Sequence, residues 1–230
     1  AVFNGNTADY TIAEQPDGSI LITDINGGDG DDGADTISSV ENFQFADGTV
    51  NLAQLLAPTD ISIDSNAVNE ESTAGTVVGN LSTTDPSNTD THTYAITSDP
   101  SGFFAISGSQ LVIAAGQTLP DVETVGLQSY NVDIQVTDQL GETYTETLTI
   151  NLSDLAETHN LANGGDTFTD LGDAGDTING GTGNDTITGD DGNNLIDGRA
   201  GDDQIHGGLG NEVILGGADS DDLHGNAGDD

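Results

Sequence analysis

Seven residues near the C-terminal end of this 230-residue chain recur every nine positions, and all are acids or the matching amide: Asp176, Asp185, Asn194, Asp203, Glu212, Asp221 and Asp230. Two positions after each of the first six stands an aliphatic residue: Ile178, Ile187, Ile196, Ile205, Ile214 or Leu223. Carboxylate and carbonyl oxygens are hard ligands, so a fixed period of acids among glycines points to calcium. Composition demands cations too. The chain carries 41 Asp plus Glu against a single basic residue, Arg199, for a formal charge of -40. Such a surface cannot track nucleic-acid phosphates and is repelled by anionic membranes. Hydrophobic residues are only 33% of the chain, so a compact state needs counter-ions built into it.

From Leu171 the sequence divides into nines: LGDAGDTIN, GGTGNDTIT, GDDGNNLID, GRAGDDQIH, GGLGNEVIL, GGADSDDLH, then GNAGDD. Glycines early in each unit admit positive φ and close approach of carbonyls, and the aliphatic residue sits in a short strand pointing inward. One such side chain per nine ordered residues makes a thin core, so metal binding must supply the rest of the folding free energy. The pattern resembles the GGxGxDxUx nonapeptide of RTX proteins, a calcium-binding parallel β-helix signature. The resemblance implies two nonapeptides per coil. The sixth-position residues then form two columns: Asp185, Asp203 and Asp221 on one edge, Asp176, Asn194, Glu212 and Asp230 on the other. Well-formed calcium sites are expected on the first edge and remodelled ones on the second. Ala174 and Asp219 stand where the pattern has Gly, and Asp tolerates the left-handed conformation better. Arg199 replaces another Gly and is expected to pair with nearby carboxylates. Gly164 to Phe168 is a half-copy, one residue out of register, expected to cap the helix.

Residues 57–155 change character. Period-two alternation in LQSYNVDIQVT (127–137) and YTETLTINL (144–152) marks half-buried antiparallel strands, with about seven strands in the region. With APTDI from Ala57, VNEESTAGTVVGNLS, DPSNTDTHTYAI, LPDVET and YNVDIQVTDQLG, the region resembles a bacterial cadherin-like domain. That resemblance implies calcium ligands at one pole from Glu70 or Glu71, from Asp121 and Glu123, and from Asp154. At the other pole Asp85, Asp90 and Asp138 match family acids. Residues 1–56 look like the β-rich segment that closes RTX repeat blocks, with Tyr10, Ile20, Ile22, Phe43 and Phe45 as core. Within it GGDGDD (27–32) fits a repeat turn, but Gly33-Ala34 is expected to supply no strand. The expected fold is therefore all-β: a β cap segment (1–56), a cadherin-like (Ig-like) β-sandwich (57–155) and a parallel β-helix or β-roll (156–230).

The chain lacks Cys, Met and Trp, which excludes disulfides and thiolate chemistry. No nucleophile elbow, HExxH, Walker loop or dinucleotide fingerprint is present, and no catalytic role is expected. His206 and His224 share the ninth position two copies apart and are expected to stack. The tail GNAGDD joined to the head AVF would continue the repeat. This motivates the expectation of head-to-tail association, with residues 1–3 completing the next copy's roll. The function expected is a calcium-binding structural or adhesive module of an extracellular bacterial protein, exported by a type I route as the family resemblance implies. The alternatives are a non-catalytic calcium-binding appendage of a secreted enzyme, or recognition of cell-surface glycans by the sandwich.

Overall fold

The computed structural model describes residues 1–26, 33–87, 90–126 and 128–230; the GGDGDD turn lies outside them, as does Leu127. Contacts divide the chain into two compact units, one of residues 1–66, 77–112 and 131–148, the other of residues 67–76, 113–130 and 149–230.

The N-terminal segment contributes β1 (Tyr10–Glu14), β2 (Ile20–Asp24), β3 (Ala34–Ile37), β4 (Asn42–Phe45) and β5 (Gly48–Asn51), followed by a single helical turn, α1 (Leu52–Leu55). β1, β2 and β3 form an antiparallel sheet and β4 and β5 a hairpin. β3 begins at Ala34, where no strand was expected; the isoleucine at its end packs against the core opposite Ile20. The expected core residues Tyr10, Ile20, Ile22, Phe43 and Phe45 are all buried, joined by Phe3, Leu55 and Leu56. Residues 1–3 are held by their own chain. Phe3 N–H donates to the Gln44 carbonyl (2.7 Å), Gln44 N–H donates to that of Ala1 (2.9 Å), and the Phe3 ring stacks on Phe45 with centroids 5.0 Å apart. Releasing Ala1 to Phe3 would therefore pull an aromatic ring out of a packed core.

The middle region forms a β-sandwich from β6 (Asp60–Ile63), β7 (Ala67–Asn69), β8 (Val77–Thr84), β9 (Thr93–Ser98), β10 (Phe104–Ser107), β11 (Gln110–Ile113), a helical turn α2 (Val122–Val125), β12 (Ser129–Thr137) and β13 (Thr143–Ser153). The sheet orders are β10-β11-β8-β6 and β7-β13-β12-β9. Eight strands occur rather than about seven because the first one splits. β6 pairs antiparallel with β8, whereas β7 pairs parallel with the end of β13. The alternation read from the sequence sets the faces: Val132, Ile134 and Val136 on β12 are each fully buried.

The last region is a parallel roll of eight strands: β14 (Thr158–Asn160), β15 (Thr167–Thr169), β16 (Thr177–Thr182), β17 (Thr186–Thr188), β18 (Leu195–Ala200), β19 (Gln204–Leu209), β20 (Val213–Leu215) and β21 (Asp222–Ala227). Alternate strands share a sheet, giving orders β14-β16-β18-β20 and β15-β17-β19-β21. The register sets Ile178 against Ile196 and Ile214, and Ile187 against Ile205 and Leu223, eighteen residues apart. Two earlier strands were not expected as a full coil. β14 and β15 pair at an offset of nineteen, His159 with Ile178 and Phe168 with Ile187, so residues 164–168 are part of the first coil rather than a separate cap.

Between coils the glycines are dictated by proximity. A Cβ on Gly192 would fall on the carbonyl of Ala174, one coil away. Arg199 and Asp219 adopt the left-handed region at φ +71° and +82° in place of glycine. Among the described residues Arg199 forms no ion pair, contrary to expectation; its amide instead donates to Asp197 Oδ1 (3.1 Å).

Ile178, Ile187, Ile196 and Ile205 are completely buried, whereas Leu195 is 41% exposed. Ile196→Ala should therefore cost about 2–5 kcal/mol in calcium-saturated denaturant unfolding. Leu195→Ala, one residue away, should change it by less than about 0.5 kcal/mol.

Candidate metal centres

The roll turns arrange their sixth-position side chains in the two expected columns. Asp203 Oδ1 accepts the amide N–H of Asp185 (2.8 Å), and Asp221 Oδ1 that of Asp203 (3.1 Å). On the other edge Asn194 accepts from Asp176 (2.7 Å) and Asp230 from Glu212 (3.1 Å). Asp176, Asp185 and Asp203 thus each spend one oxygen on the neighbouring coil. The second oxygen of Asp166, Asp176, Asp185 and Asp203, and both oxygens of Glu212, are buried without any hydrogen-bond partner. An ionised oxygen in that state is strongly disfavoured unless a cation meets it.

The surroundings fit one. A Cβ placed on Gly198 would meet Asp203 Oδ2 and the Gly216 carbonyl, and one on Gly180 would meet Asp185 Oδ2 and the Gly198 carbonyl. Carboxylate and carbonyl oxygens therefore converge where only glycine leaves room, which is the donor set calcium takes. The two edges differ: Asn194 turns its amide to Asp190 Oδ1 (2.9 Å), and Glu212 lets both its oxygens hang free. A ladder not anticipated from sequence runs alongside. Oδ1 of Asn184, Asn193, Asp202 and Asn211, all at the fifth position, accepts an N–H eighteen residues ahead at 2.8–3.1 Å. Its signal was the recurring Asn or Asp just before the sixth-position acid. His206 and His224 stack as expected, 4.8 Å apart and 7° from parallel.

At one pole of the sandwich the alternative between Glu70 and Glu71 resolves. Glu70 is buried, its oxygens accepting N–H groups from Val122 and Leu155, whereas Glu71 is exposed at φ +53°. Glu70, Asp121 and Glu123 each bring a carboxylate oxygen within 4.8 Å of the others. Asp154 is turned to the roll: its Oδ2 accepts N–H groups from Asp173 and Ala174, both at 2.7 Å, while Oδ1 is buried and unpartnered. At the other pole Asp85, Asp90 and Asp138 converge in the same way. Glu14 of β1 approaches them, accepting from Ser87 Oγ (2.6 Å), while His92 Nε2 lies 2.7 Å from Asp85 Oδ2. No periodicity in the sequence pointed to Glu14.

Against this geometry, the family model for RTX calcium-binding nonapeptide repeats matches residues 170–205 and 206–230. Those residues are RTX repeats. Solved structures similar to the chain include fragments of Drosophila N-cadherin (EC1-3; 10% identity, 71% of this chain and 69% of that one, TM-score 0.35) and human desmocollin-1 (16%, 63% and 29%, 0.33). Domains 3–6 of protocadherin gamma B2 are another (19%, 63% and 34%, 0.33). The chain thus spans about a third of the longer fragments. None of the curated proteins compared matches it. The sandwich rests on its own strand order and register. The matched family is calcium-binding, and the residues its model matches form the roll.

Without cations the clustered acids hold protons. Burial, reinforced by the charge of Glu70, pushes Glu123 up to about 8; burial and the charge of Asp176 push Asp170 up to about 8; burial and Asp230 push Glu212 up to about 7. Their folded-state affinity for protons exceeds the unfolded one, so the stability they contribute is present at acid pH and lost as pH rises toward 8. In excess chelator the unfolding temperature should therefore fall between about pH 4.5 and pH 8. With saturating calcium it should rise or stay level over the same range, measured by circular dichroism.

Proposed function

We propose that this chain is a calcium-stiffened structural and adhesive module of an extracellular protein, whose roll folds when calcium arrives. The observation that carries the reading is the row of buried, unpartnered carboxylate oxygens recurring at the turns. The metal ligands in this reading are Asp185, Asp203 and Asp221 on one edge and Asp176, Glu212 and Asp230, with the amide of Asn194, on the other. Glu70, Asp121, Glu123 and Asp154 serve the sandwich pole, with Glu71 outside it. The module is non-catalytic in this reading, as RTX repeats and cadherin domains typically are. Among the described residues no helix is long and apolar enough to cross a membrane. Such families are usually extracellular. Export in the unfolded state, at low internal calcium, fits a roll that cannot neutralise its own charge.

Calcium titration followed by far-ultraviolet circular dichroism tests this. The roll's share of the β signal should grow cooperatively with calcium and fall in chelator at neutral pH, and Asp203→Asn should raise the calcium midpoint by roughly 3–10-fold, whereas Asp222→Asn should not. A full native signal in excess chelator overturns the reading.

Head-to-tail association is the finer part of the proposal. Residues 1–3 are anchored to β4, so the docking element is the whole cap segment rather than a loose strand. Val2 is 78% exposed and Leu223, in the last strand of its sheet, 44% exposed. In millimolar calcium, sedimentation should show concentration-dependent polymers that Val2→Asp abolishes. A species that remains monomeric at all concentrations overturns this part alone.

A further inference from the structure

The first coil of the roll departs from the RTX pattern at its core. Residues 157–160, ETHN, copy DTIN at 176–179, but His159 stands where the copies have isoleucine or leucine. An imidazole in an aliphatic column needs a reason. Its ring packs on Phe168 with centroids 4.9 Å apart, and its Nε2 is buried without a hydrogen-bond partner. The nearest carboxylate oxygens are those of Asp176 and Glu157, at 3.9 and 4.0 Å.

Around that nitrogen lie three acids from separate elements. Glu123 belongs to α2, Asp170 follows β15, and Asp176 precedes β16. Asp170 is 3% exposed and Asp176 1%. Both oxygens of Glu123, both of Asp170, and Asp176 Oδ2 have no donor. One ligand atom from each of the four side chains lies within 4.8 Å of the rest. Glu70, Asp154 and Asp190 add negative charge nearby, and the base that acts on Asp176 is His159 itself. Only protons or a cation can make such a pocket tolerable, and the pocket supplies a nitrogen that protons on the acids would not require.

We propose that Glu123, His159, Asp170 and Asp176 form a mixed imidazole–carboxylate site for a first-row divalent cation such as zinc, which takes Glu123 and Asp176 out of the calcium ligand set and leaves the remaining all-oxygen turns to calcium. Imidazole is a common ligand of zinc and a poor one for calcium, which favours six to eight oxygens. The ion would tie α2 to β14, β15 and β16 and so fix the first coil on which the later copies stack. The site goes beyond calcium-dependent folding but rests on the roll being ordered, which circular dichroism reports separately.

The full chain in millimolar calcium, titrated with zinc by calorimetry and checked by elemental analysis after dialysis, tests this. One zinc equivalent should bind in excess calcium. His159→Gln and Asp170→Asn should each weaken it at least about 10-fold, while His206→Asn, which breaks the stacked histidine pair, should leave it unchanged. Zinc should also shift the His159 imidazole signals in nuclear magnetic resonance spectra, which decides the matter if a variant fails to fold. Absence of zinc uptake, uptake unaffected by either site variant, or uptake lost with His206→Asn would each overturn the assignment. A chain whose circular dichroism ignores calcium would instead count against the folding reading.

Discussion

The structure depends on one unmet electrostatic demand. At the turns of Asp176, Asp185 and Asp203 the roll buries a carboxylate that bonds its neighbour through one oxygen and leaves the other without a donor. Two acceptors cannot satisfy one another. With one base in the chain, and that base making no ion pair among the described residues, the protein cannot supply the missing positive charge from its own side chains. The fold is therefore conditional in a way that a hydrophobic core is not. Its secondary structure is written in the strands, but its stability is delegated to solvent cations.

The thin core and the crowded turns express the same constraint. A nonapeptide coil carries one inward aliphatic side chain per strand, so Ile178 with Ile196 and Ile187 with Ile205 form two columns that make up one thin cluster. Coils lie close enough for the carbonyl of Ala174 to occupy the place a Cβ on Gly192 would take. That proximity aligns the carbonyls and carboxylates into a cation-binding edge, and it leaves no volume for a second layer of packing. Widening the coil to build a better core would pull the oxygens apart. The geometry serves the convergence of these oxygens before it serves packing.

Much of this was legible in the sequence because its cause is periodic. The nine-residue spacing gave the strands, the inward isoleucines and the two columns, and period-two alternation gave β12 and β13 of the sandwich. What escaped was aperiodic. β3 follows a stretch of sequence rich in glycine and acids, and the fifth-position ladder was overshadowed by the stronger sixth-position acids beside it. The first coil was hidden because one extra residue shifts its register to nineteen and a histidine replaces the diagnostic isoleucine. Glu14 and Asp170 reach their clusters through tertiary placement alone. Arg199 shows the opposite error: its charge suggested pairing, whereas its defining feature is a left-handed backbone in a position built for glycine.

The asymmetry between the two edges has a physical consequence for how the roll is held. On the Asp185, Asp203 and Asp221 edge, identical side chains repeat the same bond from coil to coil, so every ion finds the same donors. On the other edge Asn194 removes a charge and bonds Asp190, and the longer Glu212 side chain leaves two oxygens unpaired. The uniform edge can act as a continuous spine, while the irregular one divides into local sites of different composition. At the start of that irregular edge stand Asp176 and Asp170, beside an imidazole at the inward position that the following copies give to isoleucine or leucine. Departure from the repeat is concentrated where the roll begins, and a coil that starts a stack has no predecessor to supply its donors. Its ligands have to come from outside the repeat, and Glu123 of α2, together with Asp154 capping the amides of Asp173 and Ala174, comes from there.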